Sequence, residues 1–125
     1  YWPILEGKVV SGDGRGRNLG FATANVEIPS NILLPCIGVY AAKCYVEAQS
    51  YLAVVNIGSK PTFKKEQLPV VEAHLLDFNE NIYGKELEIH LFKYLRPEKK
   101  FNNVESLKEQ ITQDIKVARL AYRDL

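Results

Sequence analysis

The stretch ELEIHLFKYL, residues 86–95, alternates apolar and polar side chains with a period of two. In an extended chain Leu87, Ile89 and Leu91 share one face, and the polar residues between them share the other. This alternation predicts a half-buried β-strand, Glu86–Leu95, with a core on one side and solvent on the other.

Upstream of this strand the chain consists of short apolar runs separated by Gly, Pro and Asn. No stretch with a helical period interrupts them, and the gaps are short enough for hairpins. A succession of short strands of this kind predicts a mainly β domain, an antiparallel barrel or sandwich. The other predicted strands are Ile4–Val10, Thr23–Ile28, Ile37–Glu47, Tyr51–Ile57 and Val70–Asp77.

After the last strand the apolar residues change to helical spacing. Steps of three and four residues form one apolar stripe, which predicts a helix from Val104 to Leu125 packed on the strands. Asn102 followed by Glu105 predicts a capping box at its start. The stripe contains Val104, Leu107, Ile111, Ile115, Ala118, Tyr122 and Leu125, and the opposite, solvated face contains Lys108, Glu109, Gln113 and Lys116.

The composition is that of one folded domain, residues 1–125. Lys and Arg total 16 against 15 Asp and Glu, and this net charge of +1 argues against a general nucleic-acid binder. Cys36 and Cys44 lack metal-site spacing, so we expect free thiols in a reducing cytoplasm. No apolar run approaches the ~20 residues of a membrane span. Because the sequence begins at Tyr1 and contains no Met, we expect it to be part of a longer chain.

Three polar connections, residues 11–21, 58–68 and 96–103, are the places where function is expected. The first contains SGDGRGRNLG, in which the glycines allow backbone N–H groups to approach an anion and Arg15 and Arg17 add positive charge. It matches neither the Walker loop nor the dinucleotide fingerprint. A phosphate cradle and a flexible surface loop are equally compatible with this composition.

Thr23 and Asn25, in the segment FATAN, lie on the same face of an extended chain. A hydroxyl and an amide carbonyl are hard oxygen ligands that suit Mg²⁺ when phosphate oxygens complete the coordination. The simpler interpretation is that these residues end a strand and begin a turn.

Glu72 is an acidic residue in the middle of an otherwise apolar strand. A carboxylate held on a rigid strand suits a general base that removes a proton from a substrate hydroxyl. The alternative is an exposed residue paired with a lysine of a neighbouring strand. His74 and His90 lack metal-ligand spacing and are interpreted as structural.

The segment LRPEKKF, residues 95–101, places Arg96, Lys99 and Phe101 just before the helix. A guanidinium and an aromatic ring can hold a flat heterocycle between them. Phe101 is equally suited to packing against the first helical turn.

The order of these segments resembles riboflavin kinases, in the variant found as the C-terminal module of bacterial bifunctional enzymes that also adenylylate FMN. The likeness extends from about Leu5 to Val117, although Ala22 replaces a proline that is usual in the family. It rests on GKVVSGDGRGRNLGFATAN (7–25), VVNIGSKPTF (54–63), VEAHLLDF (71–78), IYGKEL (82–87) and YLRPEKKF (94–101).

The resemblance implies a six-stranded antiparallel Greek-key barrel with the C-terminal helix packed against it. It implies ATP-dependent phosphorylation of riboflavin to FMN, with ATP and riboflavin as partners, Mg²⁺ as cofactor and a linked N-terminal FMN adenylyltransferase module. The resemblance implies that Glu72 is the catalytic base and that Thr23 and Asn25 bind the metal. It implies that ATP is bound by Thr23 and Asn25 together with Gly12, Arg17, Leu75, Asp77 and Tyr83. It also implies that the flavin is bound by Arg96, Lys99 and Phe101.

Two other functions are compatible with a small barrel. One is a catalytically silent flavin- or nucleotide-binding module, against which the joint presence of Thr23, Asn25 and Glu72 argues. The other is a nucleic-acid or protein interaction module that binds through its loops. The near-zero net charge argues against the nucleic-acid version.

Overall fold

A computed structural model describes residues 4–10, 22–28, 35–61, 67–76, 84–99 and 101–124. These residues contain six strands, which close into an antiparallel barrel, and one helix on its outer surface. The elements are β1 (Ile4–Val10), β2 (Ala22–Glu27), β3 (Gly38–Val46), β4 (Gln49–Pro61), β5 (Gln67–Leu75), β6 (Glu86–Arg96) and α1 (Val104–Arg123).

The strands follow one another around the barrel in the order β1-β2-β5-β4-β3-β6, and β6 pairs with β1 to close it. Strands β3, β4 and β5 are consecutive neighbours, and β6 returns to lie beside β3, which is a Greek-key arrangement. The predicted mainly β class, the six-stranded barrel and the C-terminal helix are confirmed.

The period of two decides which residues fill the barrel. In β6, Leu87, Ile89 and Leu91 are buried, whereas the residues between them are partly exposed. In β1, Leu5 and Val9 alternate with exposed residues in the same way. The interior cluster contains Leu5, Val9, Val26, Tyr40, Ala42, Cys44, Val46, Ala53, Val55, Ile57, Val71, Ala73, Leu75, Leu87, Ile89 and Leu91.

Strand β4 is longer than the sequence indicates, and the predicted connection at residues 58–68 is wrong at both ends. Pairing with β5 continues from Gly58 opposite Val70 to Pro61 opposite Gln67. The ladder is made by backbone groups, so it continues through polar and glycine positions that lack an apolar pattern.

The turn between β3 and β4 contains two residues, Glu47 and Ala48, with φ angles of 48° and 71°. Positive φ at both central positions matches the two-residue turns that suit the twist of a hairpin. Neither residue is Gly or Asn, so the usual sequence signal for this turn is missing.

The helix packs on the outside of β3, β4 and β6. Val39, Ala41 and Val54 form a buried cluster with Ala118 of α1. The helix begins at Val104 as predicted, but its cap is Asn103 and not Asn102: the Asn103 side chain accepts a 2.8 Å hydrogen bond from the Ser106 backbone N–H. No helix in the described ranges is long and apolar enough to cross a membrane.

Both cysteines are free thiols, as the sequence predicts. Cys44 lies in the barrel interior, and burial raises its pKa to about 12. Cys36 is exposed, and its carbonyl accepts a hydrogen bond from the Tyr40 hydroxyl. Burial, reinforced by the hydrogen bond to Cys36, raises the pKa of Tyr40 well above its usual value.

Candidate functional site

A row of polar residues crosses the outer face of β2, β5 and β4. Asn25 lies directly opposite Glu72, and Glu72 lies directly opposite Asn56. Residues opposite each other in an antiparallel sheet share a face. Since Val71 and Ile57, next in sequence, belong to the interior cluster, the three polar residues lie on the outside.

Glu72 stands at the centre of this row with two amides as its cross-strand neighbours. Its carboxylate Oε1 lies 3.5 Å from Nε2 of His74, two residues along the same face of β5. His74 is 7% exposed, so the ring is held in place by packing. No lysine in the described ranges forms an ion pair with Glu72, which argues against the alternative of a lysine-paired surface residue.

The backbone register brings the Thr23 position to the same place. Thr23 lies opposite His74, just as Asn25 lies opposite Glu72. The carboxylate of β5 and the Thr-Asn pair of β2, about 50 residues apart in sequence, are therefore neighbours in the barrel, as the resemblance implies. Their roles as base and metal ligands stay predictions.

Asn56 is a member of the row that the sequence reasoning missed. Its side-chain Oδ1 is buried, and no donor from the described part of the chain forms a hydrogen bond with it. Buried amide oxygens normally accept a hydrogen bond, so the unpaired oxygen of Asn56 needs an explanation. The signal was present, since Asn56 interrupts the apolar run AVVNIG just as Glu72 interrupts its own strand.

The row continues across β3 to β6. Asn56 lies opposite Val39, and Val39 lies opposite Arg96. Arg96 and Asn25 therefore occupy the two ends of one line of residues, with Glu72 and Asn56 between them. The residues assigned to the flavin and to the metal fall on opposite sides of the candidate base.

Arg96 is bound to the helix. Its Nε and one terminal nitrogen donate to the two carboxylate oxygens of Asp114 at 2.9 and 2.8 Å, and its other terminal nitrogen donates to the Pro97 carbonyl at 3.0 Å. Gln110 also donates to Asp114. The predicted flavin contact of Arg96 stays a prediction; these three bonds leave two N–H groups and the flat face of the guanidinium for it.

Asp114 is a second residue that the sequence reasoning missed. It is 5% exposed and lies on the buried side of α1 between Ile111 and Ala118. A carboxylate inside an apolar helical stripe needs a cationic partner, and that position was the available signal.

The segment after Arg96 passes over β4 beside Asn56. A methyl group at Gly58 would collide with the carboxylate of Glu98, which therefore lies directly over this glycine. Farther along, the Lys99 ammonium lies 5.7 Å from the centre of the Phe101 ring, a cation–π contact. Lys99 and Phe101, assigned to the flavin, thus lie close together.

Of the remaining predicted site residues, the structure describes only Leu75. Leu75 is buried in the barrel interior, so its backbone alone is available to a nucleotide outside. Gly12, Arg17, Asp77 and Tyr83 lie outside the described residues.

The polar row suits a Mg²⁺ ion that arrives with phosphate better than an ion held by protein alone. The described residues contain no group of three or more His, Cys, Asp or Glu side chains placed to hold a metal. The amide of Asn25 is a hard oxygen donor on β2, and the Thr23 position lies two residues before it on the same strand. Mg²⁺ commonly takes one or two protein ligands together with substrate phosphates, and this donor set fits that mode.

Comparison with known proteins gives the same family at several levels. The riboflavin kinase family model matches residues 1–122. The bifunctional riboflavin kinase/FMN adenylyltransferase of Bacillus subtilis is 45% identical over 113 residues, 89% of this chain and 36% of that protein. A solved riboflavin kinase from Trypanosoma brucei has a TM-score of 0.67 at 26% identity, covering 96% of this chain and 79% of that chain.

The fold is matched more closely by a crystal structure described as a macrolide-efflux protein from Streptococcus pneumoniae. Its TM-score is 0.87 at 32% identity, over 93% of this chain and 38% of that chain. This chain thus spans little more than a third of the Bacillus protein and of the Streptococcus chain. With nearly its whole length matched by the family model, the chain belongs to the riboflavin kinase family.

Proposed function

We propose that this domain transfers the terminal phosphoryl group of ATP to the ribityl 5′-hydroxyl of riboflavin, giving FMN and ADP. The observation that carries the proposal is the position of Glu72, a strand carboxylate between Asn25 and Asn56 on the outer face of the barrel. Family membership supplies the substrates, and the polar row supplies a place where a base and phosphate ligands meet.

Glu72 is the general base in this scheme. Its carboxylate takes the proton of the ribityl 5′-hydroxyl while that oxygen forms a bond to the γ-phosphorus, and the bond from the γ-phosphorus to the bridging oxygen breaks to release ADP. His74, with Nε2 3.5 Å from the carboxylate, restricts where Glu72 points. A base fixed on a strand meets the geometric demand of the reaction because positioning supplies much of the rate.

Thr23 and Asn25 hold the metal-phosphate side of the site. Mg²⁺, when bound with ATP, neutralises phosphate charge in the transferring group. Asn25 offers its amide oxygen next to Glu72, and the Thr23 position is one cross-strand pair away. Gly12 and Arg17 cover the phosphates in the same proposal, and Tyr83 with the backbone at Leu75 and Asp77 contacts the nucleotide.

Arg96, Lys99 and Phe101 serve the flavin. Arg96 anchors the segment to the helix through Asp114, which fixes the position of the residues that follow. Phe101 and Lys99, already in contact, present a ring and a cation in the segment that follows Arg96. Closure of this segment on the flavin would exclude water from the phosphoryl transfer.

The intact protein, we infer, carries a second module. The Bacillus relative is bifunctional, and this chain covers 36% of it. FMN made here is the substrate that an adenylyltransferase would consume. Residues 1–125 form the kinase module in this scheme, and FAD synthesis belongs to the other part.

A direct assay tests the proposed activity. The 125-residue chain is incubated with riboflavin, ATP and Mg²⁺, and the products are separated by chromatography. We expect FMN and ADP in equal amounts, and no FMN when ATP is omitted. Binding of riboflavin and ATP without FMN formation would instead identify a silent binding module.

A further inference from the structure

The amide oxygen of Asn56 is a buried acceptor without a donor in the described part of the chain. Such an atom loses its hydrogen bond to water on folding and gains nothing in exchange. One reason for a fold to keep an unfavourable group of this kind is that a bound molecule supplies the missing partner. The position of Asn56 in the polar row indicates which molecule that is.

The two amides of the polar row lie on opposite sides of Glu72. Asn25, the proposed metal ligand, lies on the β2 side of Glu72, whereas Asn56 lies on the β4 side. In an in-line transfer the attacking and leaving oxygens lie on opposite sides of the γ-phosphorus, so the rest of the alcohol extends away from the ADP that leaves. With the phosphates on the side of Asn25, the alcohol approaches from the side of Asn56.

Arg96, the flavin-assigned residue that the strand register places, lies on that same side. From Asn56 the row runs through Val39 to Arg96, and Glu98 rests on Gly58, two residues along β4 from Asn56. A riboflavin molecule held between this segment, which lies over Gly58 of β4, and Glu72 on β5 would place its ribityl chain beside Asn56. The ribityl chain is a polyol, and each of its hydroxyls is a hydrogen-bond donor.

We propose that Asn56 is a substrate-binding residue whose Oδ1 accepts a hydrogen bond from a hydroxyl of the ribityl chain. The inference rests on the proposed function, because it takes riboflavin as the alcohol. Since Oδ1 is shielded from solvent, a small movement of the amide or of the Glu98 segment accompanies binding. Asn56 thereby selects flavins that carry a polyol side chain.

The test compares two flavins in binding experiments without ATP. Riboflavin carries the ribityl chain, and lumiflavin has the same ring system with a methyl group in its place. Dissociation constants are measured by fluorescence for the unmodified chain, for Asn56→Leu and for Asn56→Ala. We expect both substitutions to weaken riboflavin binding roughly tenfold and to leave lumiflavin binding unchanged.

Thermal unfolding of the ligand-free protein supplies the second measurement. Removal of an unpaired buried oxygen relieves an unfavourable group, so Asn56→Leu is expected to keep or raise the melting temperature. Asn103→Ala, which removes the helix cap far from the row, is the matched control. It should lower the melting temperature without changing the ratio of the two flavin affinities.

Three results would overturn the inference. Equal weakening of riboflavin and lumiflavin, together with a lower melting temperature, would give Asn56 a purely structural role. Unchanged riboflavin affinity with a raised KM for Mg-ATP would place Asn56 on the phosphate side. Failure of the unmodified chain to prefer riboflavin over lumiflavin would remove ribityl recognition altogether. A different outcome separates this inference from the proposed function. If the chain forms no FMN from riboflavin and ATP but still prefers riboflavin over lumiflavin, the kinase activity is contradicted and Asn56 remains a ribityl ligand.

Discussion

Two sectors of the barrel's outer face make opposite use of buried polar groups. In the helix-covered sector, on β3, β6 and the adjoining half of β4, Asp114 is buried but receives hydrogen bonds from Arg96 and Gln110. In the polar row of Asn25, Glu72 and Asn56, the oxygen of Asn56 is buried without a donor from the described residues. Val39 separates the two sectors, lying opposite Arg96 on one side and Asn56 on the other.

The difference shows where this barrel is built for stability and where it is built for binding. A fully paired carboxylate inside an apolar seam fixes the helix on the strands, because separation would leave a charge without a partner. An unpaired acceptor beside a carboxylate destabilises the free protein and is retained where a ligand completes it. Substitutions in the helix-covered sector should therefore change stability, and substitutions in the polar row should change activity.

The largest effect is expected for Glu72→Gln. The amide keeps the shape of the side chain but cannot take the proton of the hydroxyl, so kcat should fall by about 10²–10⁴-fold. The free energy of unfolding should change by less than about 0.5 kcal/mol, since Glu72 is partly exposed and forms no ion pair with a Lys or Arg among the described residues. Steady-state kinetics and chemical denaturation measure the two quantities.

Glu86→Gln is the matched control for this substitution. Glu86 is exposed at the start of β6, opposite Lys8 of β1, and contacts neither the Arg96–Asp114 pair nor the polar row, so both quantities should stay near those of the unmodified chain. Near-normal turnover in Glu72→Gln would remove Glu72 from the role of base.

Asp114→Ala is expected to have the next largest effect, and on stability. It leaves the Arg96 guanidinium without its bidentate partner in a largely buried position, at a cost of about 3 kcal/mol. Denaturation of Asp114→Ala, Arg96→Ala and the double variant forms a cycle that isolates the energy of the pair. A coupling energy near zero would show that Asp114 does not fasten the helix to β6.

A smaller effect is expected at the start of the helix. Asn103→Ala removes the side chain that accepts the Ser106 N–H and should cost about 1 kcal/mol. Asn102→Ala, at the neighbouring position that the sequence pattern favoured, should be nearly neutral. The reverse order in denaturation experiments would restore Asn102 as the cap. Neither substitution should change turnover at saturating substrate.

The fold was predictable because it depends on local patterns. The alternation in Glu86–Arg96 identifies both the strand and its buried face, and the spacing in Val104–Arg123 identifies the helix. The limits of β4 and the turn at Glu47 and Ala48 were not predictable. Backbone pairing extends a strand regardless of side chains. The positive φ angles fall on Glu47 and Ala48, and neither Glu nor Ala is a residue type that signals such a turn.

The site was predictable in part. Glu72 and Asn25 stood out because each is a residue type suited to phosphoryl transfer, and the barrel makes them neighbours. Asn56 and Asp114 were missed because their meaning depends on the partner. Asn56 is notable because its oxygen lacks a donor, and Asp114 is notable because Arg96 supplies its donors. These relations exist only after distant strands and the helix have come together.

By itself, the sequence determined the strands, the helix, the residues that fill the barrel and the family, because each is written in spacing and side-chain type along the chain. The tertiary structure alone decided that Asn25, Glu72 and Asn56 form one row and that Arg96 is fastened to Asp114. These relations depend on strand order and register, which join residues far apart in sequence, and strand order and register follow from closing the barrel as a whole.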